Sequence, residues 1–277
     1  MADSVPPFAT AWITGASTGI GRAVALELAR HGTVVAASAR NVENLKSLST
    51  EAAAAGGKVI AFPLDATDRA AVARAATAIG NAIGPLDLVI ANAGIGNPMR
   101  GTEPDSERFR GVFEVNVMGV MHLLEATVPA MVARRRGRIA VVASVAGYRG
   151  LPSAGPYCAS KAALIALCES LRFELEPAGV AIQVFNPGFV RTPLTAKNAF
   201  TMPFLLEPDD AARRFYAGLR SMRFEVTFPK RFTWLVKGLR LLPYPLYFAA
   251  MRRMMGPVAA RGAVKAAAEK TPSDRRP

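Results

Sequence analysis

Cysteine is nearly absent. Cys158 and Cys168 are the only two in 277 residues, and ten helical positions turn their side chains roughly 80° apart, too far along one helix to bond. That scarcity excludes a disulfide framework, and no metal site is expected. Acid is also scarce, with 21 Asp and Glu against 34 Lys and Arg and a formal charge of +13. Such an excess raises nucleic acid as a partner, but its distribution argues otherwise. From Lys230 onward eleven basic residues stand against two acidic ones, so the last 48 residues hold +9 of the net charge, and no recognition module accompanies them. The run Arg134-Arg135-Arg136-Gly137-Arg138 reads as a solvated helix end plus turn, since cations suit a helix carboxyl terminus. Residues 1–7 carry an aspartate, no basic residue and no following uninterrupted apolar run, which argues against a signal peptide or presequence. A cytoplasmic location is the default expectation.

What is plentiful is apolar sequence: 51% of residues are hydrophobic, enough for one large core. Short apolar runs over 9–14, 33–39, 58–64, 86–91, 138–143, 180–186 and 224–228 read as strands. Helical patterns over 19–30, 42–55, 69–79, 104–135 (broken near its start), 157–176 and 209–219 alternate with them. Uniformly apolar strands between longer helices are what a parallel sheet covered on both faces requires. The expected fold is a doubly wound (Rossmann), mostly parallel α/β sheet in three α/β/α layers, with its ligand site at the carboxyl ends of the strands. Residues 1–229 are read as the catalytic domain, including a lid at 189–207. An apolar, basic extension follows over 230–265, and 266–277, rich in charge and proline, is expected to be disordered.

Every candidate for chemistry follows a strand end. Thr14-Gly15-Ala16-Ser17-Thr18-Gly19-Ile20-Gly21 joins the first strand to the first helix. Glycines there let the main chain turn and approach a diphosphate, which the free N–H groups of the helix start stabilise. The second strand ends Ala37-Ser38-Ala39-Arg40. An acidic side chain at that point would accept from a free adenosine ribose and repel a 2′-phosphate. Arg40 instead suits the phosphate, with Ser38 and Asn41 as helpers, so NADP(H) is expected over NAD(H). Asp65 either accepts from the adenine amino group or caps the following turn. Asn92-Ala93-Gly94 either lets the cofactor pass closely or forms a structural turn.

Tyr157 and Lys161 stand four residues apart in a helical pattern and so share a face. A neighbouring ammonium, with the positive nicotinamide ring of an oxidised cofactor, would lower the tyrosine pKa from near 10 and favour phenolate. Tyr157 would then exchange a proton with the substrate oxygen. Lys161 would also bind the nicotinamide ribose, and Ser144, at a strand end, would orient the substrate oxygen. Asn116, polar within an apolar stretch, either holds a water-linked proton path to Lys161 or satisfies backbone groups at a helix irregularity.

Taken together, the motif over Thr14–Gly21, Asn92-Ala93-Gly94, Asn116, Ser144, Tyr157-Cys158-Ala159-Ser160-Lys161 and Asn186-Pro187-Gly188 resemble those of a classical short-chain dehydrogenase/reductase of the NADP(H)-preferring kind. The resemblance implies a catalytic tetrad of Asn116, Ser144, Tyr157 and Lys161. It also implies cofactor contacts from Asp65 and Ala66 beside adenine, and from Pro187, Gly188, Val190 and Thr192 near the nicotinamide and diphosphate. One departure concerns cofactor choice: many NADP(H)-preferring members carry a basic residue before the middle glycine, where this chain has Thr18.

After Gly188 come Phe189, Leu194, Phe200, Met202, Phe204, Leu205 and Leu206. They read as an apolar lid for a lipophilic substrate such as a steroid or acyl lipid, or as packing against the domain or another subunit. Tyr148, Leu151 and Pro152 are candidates for the opposite wall. Pro243 and Pro245 divide the extension, so it does not read as a spanning helix. Two amphipathic pieces over 231–256, with Trp234, Tyr244 and Tyr247, either lie on an anionic membrane surface, cover a neighbouring subunit or close the pocket mouth. A homo-oligomer acting on a small molecule, without nucleic acid, is expected. The leading activity is interconversion of a ketone and a secondary alcohol; the alternatives are reduction of 3-ketoacyl chains or small xenobiotic carbonyls, and a non-catalytic NADP(H) sensor.

Overall fold

The computed structural model describes residues 8–197 and 202–255. The expectations for 1–7, for Phe200 and for the tail at 266–277 lie outside the described residues. In chain order the elements are β1 (Thr10–Thr14), α1 (Gly19–Arg30), β2 (Val34–Ser38), α2 (Val42–Ala54), β3 (Lys58–Ala61), α3 (Arg69–Ile83), β4 (Leu88–Ala91), α4 (Ser106–Phe113), α5 (Gly119–Ala133), β5 (Gly137–Val142), α6 (Gly155–Leu175), β6 (Val180–Pro187), α7 (Pro208–Leu219), β7 (Glu225–Phe228), α8 (Lys230–Leu241) and α9 (Tyr244–Met255).

The seven strands form one parallel sheet in the order β3-β2-β1-β4-β5-β6-β7. Period-two alternation divides each strand between two cores. In β1, Ala11 and Ile13 join the cluster that holds Leu45 of α2 and Phe215 of α7. Trp12 points the other way, into the cluster of Val72 from α3, Leu123 from α5 and Leu164 from α6. The strands therefore need mostly apolar residues on both faces, which is why they read as near-continuous runs rather than alternating ones. Strand order reverses between β1 and β4, and the crevice expected at such a switch point opens there.

Two sequence readings shift. The third strand stops at Ala61 rather than 64, although Phe62 and Leu64 still donate to Ala37 and Ala39; Pro63 falls between them on the open edge of the sheet, where a missing N–H costs the ladder nothing. The long helix over 104–135 is irregular in its middle rather than near its start: a π-turn at Glu114–Met118 links α4 to α5. The run Ser106–Ala133 is long and apolar enough to cross a membrane, yet Leu123 and Leu124 within it are core residues.

The helix starts differ in a way that matters below. Asn41, Asp68 and Asp105 cap α2, α3 and α4 by accepting from the third following amide. At α1, Thr18 makes no side-chain cap and the first turn has no acidic residue. Its amino-terminal N–H groups are left for another acceptor.

Candidate active site

The crevice has a volume of about 530 Å3, and all but two of the predicted site residues line it. Gly15, Ser17, Thr18, Gly19 and Ile20 edge it beside the start of α1, Ser38, Arg40 and Asn41 beside β2, and Asp65 and Ala66 beyond β3. Asn92, Ala93 and Gly94 follow β4, and Ser144, Tyr157, Lys161, Pro187, Gly188, Val190 and Thr192 close the other half. Gly21 and Asn116 stand behind this wall.

The glycine loop is built for close approach. Gly15 and Gly19 adopt φ of +68° and +58°, a region that side-chain-bearing residues rarely occupy. A Cβ on Gly15 would lie 2.7 Å from the Ala93 Cα, and one on Gly19 would lie 2.9 Å from the Thr192 methyl. Gly21 works from behind, where a Cβ would strike the Gly15 carbonyl and the Asn92 amide. The loop is tied to the end of β4: Asn92 Nδ2 donates to the carbonyls of Thr14 (3.1 Å) and Gly15 (3.0 Å), while Thr14 Oγ1 accepts from the amides of Asn92 and Ala93. Asn92-Ala93-Gly94 is thus a structural turn and part of the crevice wall at once. Thr14 was quoted as the first letter of the motif, but its role as the tie emerges only when two strands meet.

At the end of β2 the Arg40 guanidinium is largely exposed, 3.8 Å from Asp65. The helpers are partly occupied. Ser38 Oγ accepts from the Trp12 indole at 2.9 Å, and Asn41 Oδ1 caps α2 through Asn44 N at 2.9 Å. Asp65 accepts from both the amide and hydroxyl of Thr67. Those bonds, with Arg40 nearby, outweigh partial burial and hold its carboxyl below the ordinary value. The turn-capping role of Asp65 is therefore filled within the chain, whereas the cap of α3 is Asp68.

In the other half, α6 presents Tyr157 and Lys161 one turn apart, facing Ser144 after β5. Ser144 Oγ donates to Pro187 O at 3.5 Å, and the Tyr157 phenol is near enough for Ser144 to oppose the effect of burial on it. Ser144 Oγ also accepts from Ala146 N at 3.1 Å, which fixes the short turn after the strand. Lys161 is only 3% exposed. Its Nζ donates to the Val142 carbonyl at 2.8 Å and lies 5.6 Å from the centroid of the Tyr157 ring. Burial lowers its pKa from 10.5 to about 8. In the chain by itself, burial is the larger influence on Tyr157 and pushes the phenol up, against the influence of Ser144; the expected lowering concerns a site that also holds an oxidised nicotinamide ring. Without a bound cofactor, desolvation of the ring hydroxyl dominates.

Asn116 sits at the centre of the π-turn, fully buried. Its Oδ1 accepts from Ile95 N at 2.8 Å, and its Nδ2 donates to Ile95 O and to Ser160 Oγ, both at 3.0 Å. The side chain thus satisfies backbone groups beside a helix irregularity. It also borders Lys161 across Gly94, where a Cβ would lie 3.3 Å from Asn116 Oδ1 and 3.5 Å from Lys161 Nζ.

The substrate side departs from the sequence reading. Of the apolar lid residues, Leu194 lines the crevice, together with Ile95, Val115 and Pro193. Phe189 and Phe204 instead pack toward Phe232 of α8, at ring-centroid distances of 5.3 and 6.2 Å, and Leu206 pairs with Val190 and Phe189 through the backbone. Tyr148, Leu151 and Pro152 are not on the crevice wall. Tyr148 is buried, and its phenol donates to Glu225, which also accepts from Asn186 Nδ2 at 2.8 Å and from Lys237 of α8. Sequence reading missed Glu225 and Phe232. The one signal for the former was a carboxylate opening a short buried strand, and for the latter there was none. Phe232 backs the Pro187-Gly188 turn so closely that a Cβ on Gly188 would lie 2.6 Å from its ring.

With this geometry in hand, comparison with known proteins gives a consistent picture. The short chain dehydrogenase family pattern matches residues 9–202. An uncharacterized oxidoreductase of Myxococcus xanthus is 42% identical over 247 residues, covering 89% of this chain and 98% of that protein. Among solved structures, a short chain dehydrogenase/reductase from Burkholderia phymatum in complex with NAD is 29% identical with a TM-score of 0.75, covering 82% of this chain and 91% of its own. An alcohol dehydrogenase from Thermococcus sibiricus complexed with 5-hydroxy-NADP is 30% identical with a TM-score of 0.72, covering 79% and 95%. A crevice at a strand-order switch, a serine, tyrosine and lysine gathered at its far side, and a family match over most of the chain lead to one conclusion: this protein belongs to the short-chain dehydrogenase family of oxidoreductases.

Proposed function

We propose that the chain is an NADP(H)-dependent reductase of ketones, running reversibly to secondary alcohols, with a lipophilic substrate such as a steroid or acyl lipid. The observation that carries the reading is the convergence of Tyr157, Ser144 and Lys161 on the crevice whose other end is the uncapped start of α1. The fit to a dinucleotide rests on that bare helix terminus and on a glycine cradle that a Cβ at Gly15 or Gly19 would fill. Diphosphate oxygens would accept from the free N–H groups of α1. Arg40, exposed and only loosely paired, would bind a 2′-phosphate. Lys161 would hold the ribose hydroxyls, and Val190 and Thr192 would flank the nicotinamide and diphosphate. When bound, the nicotinamide supplies or accepts the hydride.

The chain itself supplies orientation and a proton. Ser144 Oγ donates to the substrate oxygen and aligns the carbonyl. Because burial holds the Tyr157 phenol above its ordinary value of 10.0, the hydroxyl is protonated near neutral pH and acts as donor to the oxygen during reduction. The Lys161 ammonium, with a pKa of about 8, supports that transfer electrostatically below this pH. Leu194, Ile95 and Pro193 give the substrate end an apolar border, which supports a lipophilic ligand.

The test follows NADPH absorbance across steroid ketones, 3-ketoacyl esters and small aldehydes, with wild type and Tyr157→Phe. Bulky ketones should turn over, and the variant should lose about 100- to 10,000-fold in rate while still binding NADPH. Preference for 3-ketoacyl esters or small aldehydes would displace the substrate assignment. NADPH binding without turnover of any carbonyl would favour a nucleotide sensor.

A further inference from the structure

The surface formed by α8 and α9 is apolar on its outer side as well as its inner one. A surface helix normally turns its apolar stripe inward and its polar residues outward. In α8 the inner side carries Phe232 and Thr233 with Val236 packed against the core, and Lys237 sits ion-paired at the border between the two sides. At the outer i, i+7 positions stand Trp234, 70% exposed, and Leu241, 85% exposed. In α9 Tyr247 is buried, and its hydroxyl donates to Gly150 O at 2.6 Å, while Tyr244, Leu246 and Phe248 are 66%, 58% and 50% exposed. The elbow between the helices is fastened rather than loose. Arg149 donates to the carbonyls of Arg240 and Leu242 and lies 4.7 and 4.9 Å from the ring centroids of Tyr244 and Tyr247. The exposed apolar residues are thus held on a fixed scaffold.

Charge identifies what covers them. Over 230–255 there are six Lys or Arg and no acidic residue. Among the described residues, only Lys237 of these six has an acidic partner within ion-pair distance. Face-to-face pairing of two copies through a twofold axis would set these cations against their own kind with no carboxylate to receive them. An anionic bilayer supplies both missing partners: an apolar layer a few ångströms deep for Trp234, Leu241, Leu246 and Phe248, and a negative surface for Arg231, Arg252 and Arg253. Tryptophan and tyrosine, amphipathic and rigid, suit the boundary between the two.

We propose that α8 and α9 form a peripheral docking surface for anionic lipid bilayers. The proposal goes beyond the catalytic reading and does not depend on it, since it concerns a face of the protein outside the crevice. It is tested with the full chain, without substrate, by sedimentation with phosphatidylcholine vesicles prepared with and without phosphatidylserine. Trp12 is fully buried and bonded to Ser38, so a change in tryptophan emission on binding reports Trp234. The expected result is binding to phosphatidylserine vesicles that weakens with salt, together with a blue shift in emission. Trp234→Ser combined with Leu241→Ser should abolish binding while circular dichroism and the melting temperature stay unchanged. If that variant fails to fold, Arg252→Gln with Arg253→Gln decides, expected to weaken binding about 30-fold, or about fivefold per cation. Absence of sedimentation with either vesicle, equal binding to uncharged vesicles, or binding without an emission change would each overturn the proposal. So would a dimer in solution that the Trp234→Ser, Leu241→Ser variant dissociates, which would assign the face to a second copy.

Discussion

Replacing Lys161 with methionine should make the protein more stable and catalytically inert. The ammonium is buried, and its pKa falls from 10.5 to about 8 by desolvation, a difference equivalent to roughly 3 kcal/mol of folding free energy at neutral pH. Methionine fills similar volume without charge. It forfeits the hydrogen bond to Val142 O, which contributes about 1 kcal/mol. The net gain near pH 7 is about 2 kcal/mol, or about 5 °C in Tm for a chain of this size. The sign reverses with alkali. Because the folded-state pKa lies below the unfolded one, the penalty is fully present below about 8. It fades as pH rises toward 10.5, where the folded amine has lost its proton while the unfolded chain still holds one. Thermal unfolding of wild type and Lys161→Met, both without nucleotide, near pH 7 and about pH 10, measures this directly. The variant should lead at the lower pH and lose its lead at the higher. A wild type that is the more stable near pH 7, or a gap that does not change with pH, refutes the reasoning. Activity of the variant should fall by about 100-fold or more, which would locate the destabilising charge where the chemistry needs it.

Arg40→Asp should lower kcat/KM for NADPH by at least about tenfold relative to NADH, given a charged hydrogen bond lost and a repulsion gained; an unchanged ratio in parallel assays rejects the phosphate role. Gly21→Ala forces a methyl against the Gly15 carbonyl and Asn92 amide and should cost about 1–3 kcal/mol in urea unfolding, with nucleotide affinity falling in step. Burial raises the Glu225 carboxyl, but bonds from Lys237, Tyr148 and Asn186 outweigh it and leave the pKa lowered. Its stabilising contribution is therefore present above the ordinary carboxylate value and is lost as pH falls through the lower folded one. Glu225→Gln should flatten that acid limb of the stability profile, and an identical limb in both proteins would count against the network.

The fold was legible because burial on both sheet faces demands apolar residues at successive strand positions, and Ala11, Trp12 and Ile13 meet that demand on alternate sides. The glycine loop was legible for a similar reason, since few residue types tolerate a backbone at the φ of Gly15 and Gly19. Tyr157 and Lys161 were found together because helical periodicity is local. The extent of their desolvation was not, because it depends on everything packed around them. Tyr148 was misplaced on the crevice wall because its partner, Glu225, lies 77 residues away on a strand added last to the sheet. For Asn116 the sequence left two roles open, and its bonds to Ile95 and Ser160, which span 21 and 44 residues, show it satisfying backbone groups at the helix irregularity.

The ring of Phe232 beneath Gly188 makes the segment after β7 a keystone rather than an accessory. Its first turn closes the arch formed by the Pro187-Gly188 turn and the last strand. A protein trimmed at residue 229 would expose the underside of that arch, so neither a minimal enzyme nor a chimera with a relative's carboxyl end can be made by cutting at the sheet edge. The usable junction lies beyond the elbow that Arg149 fastens.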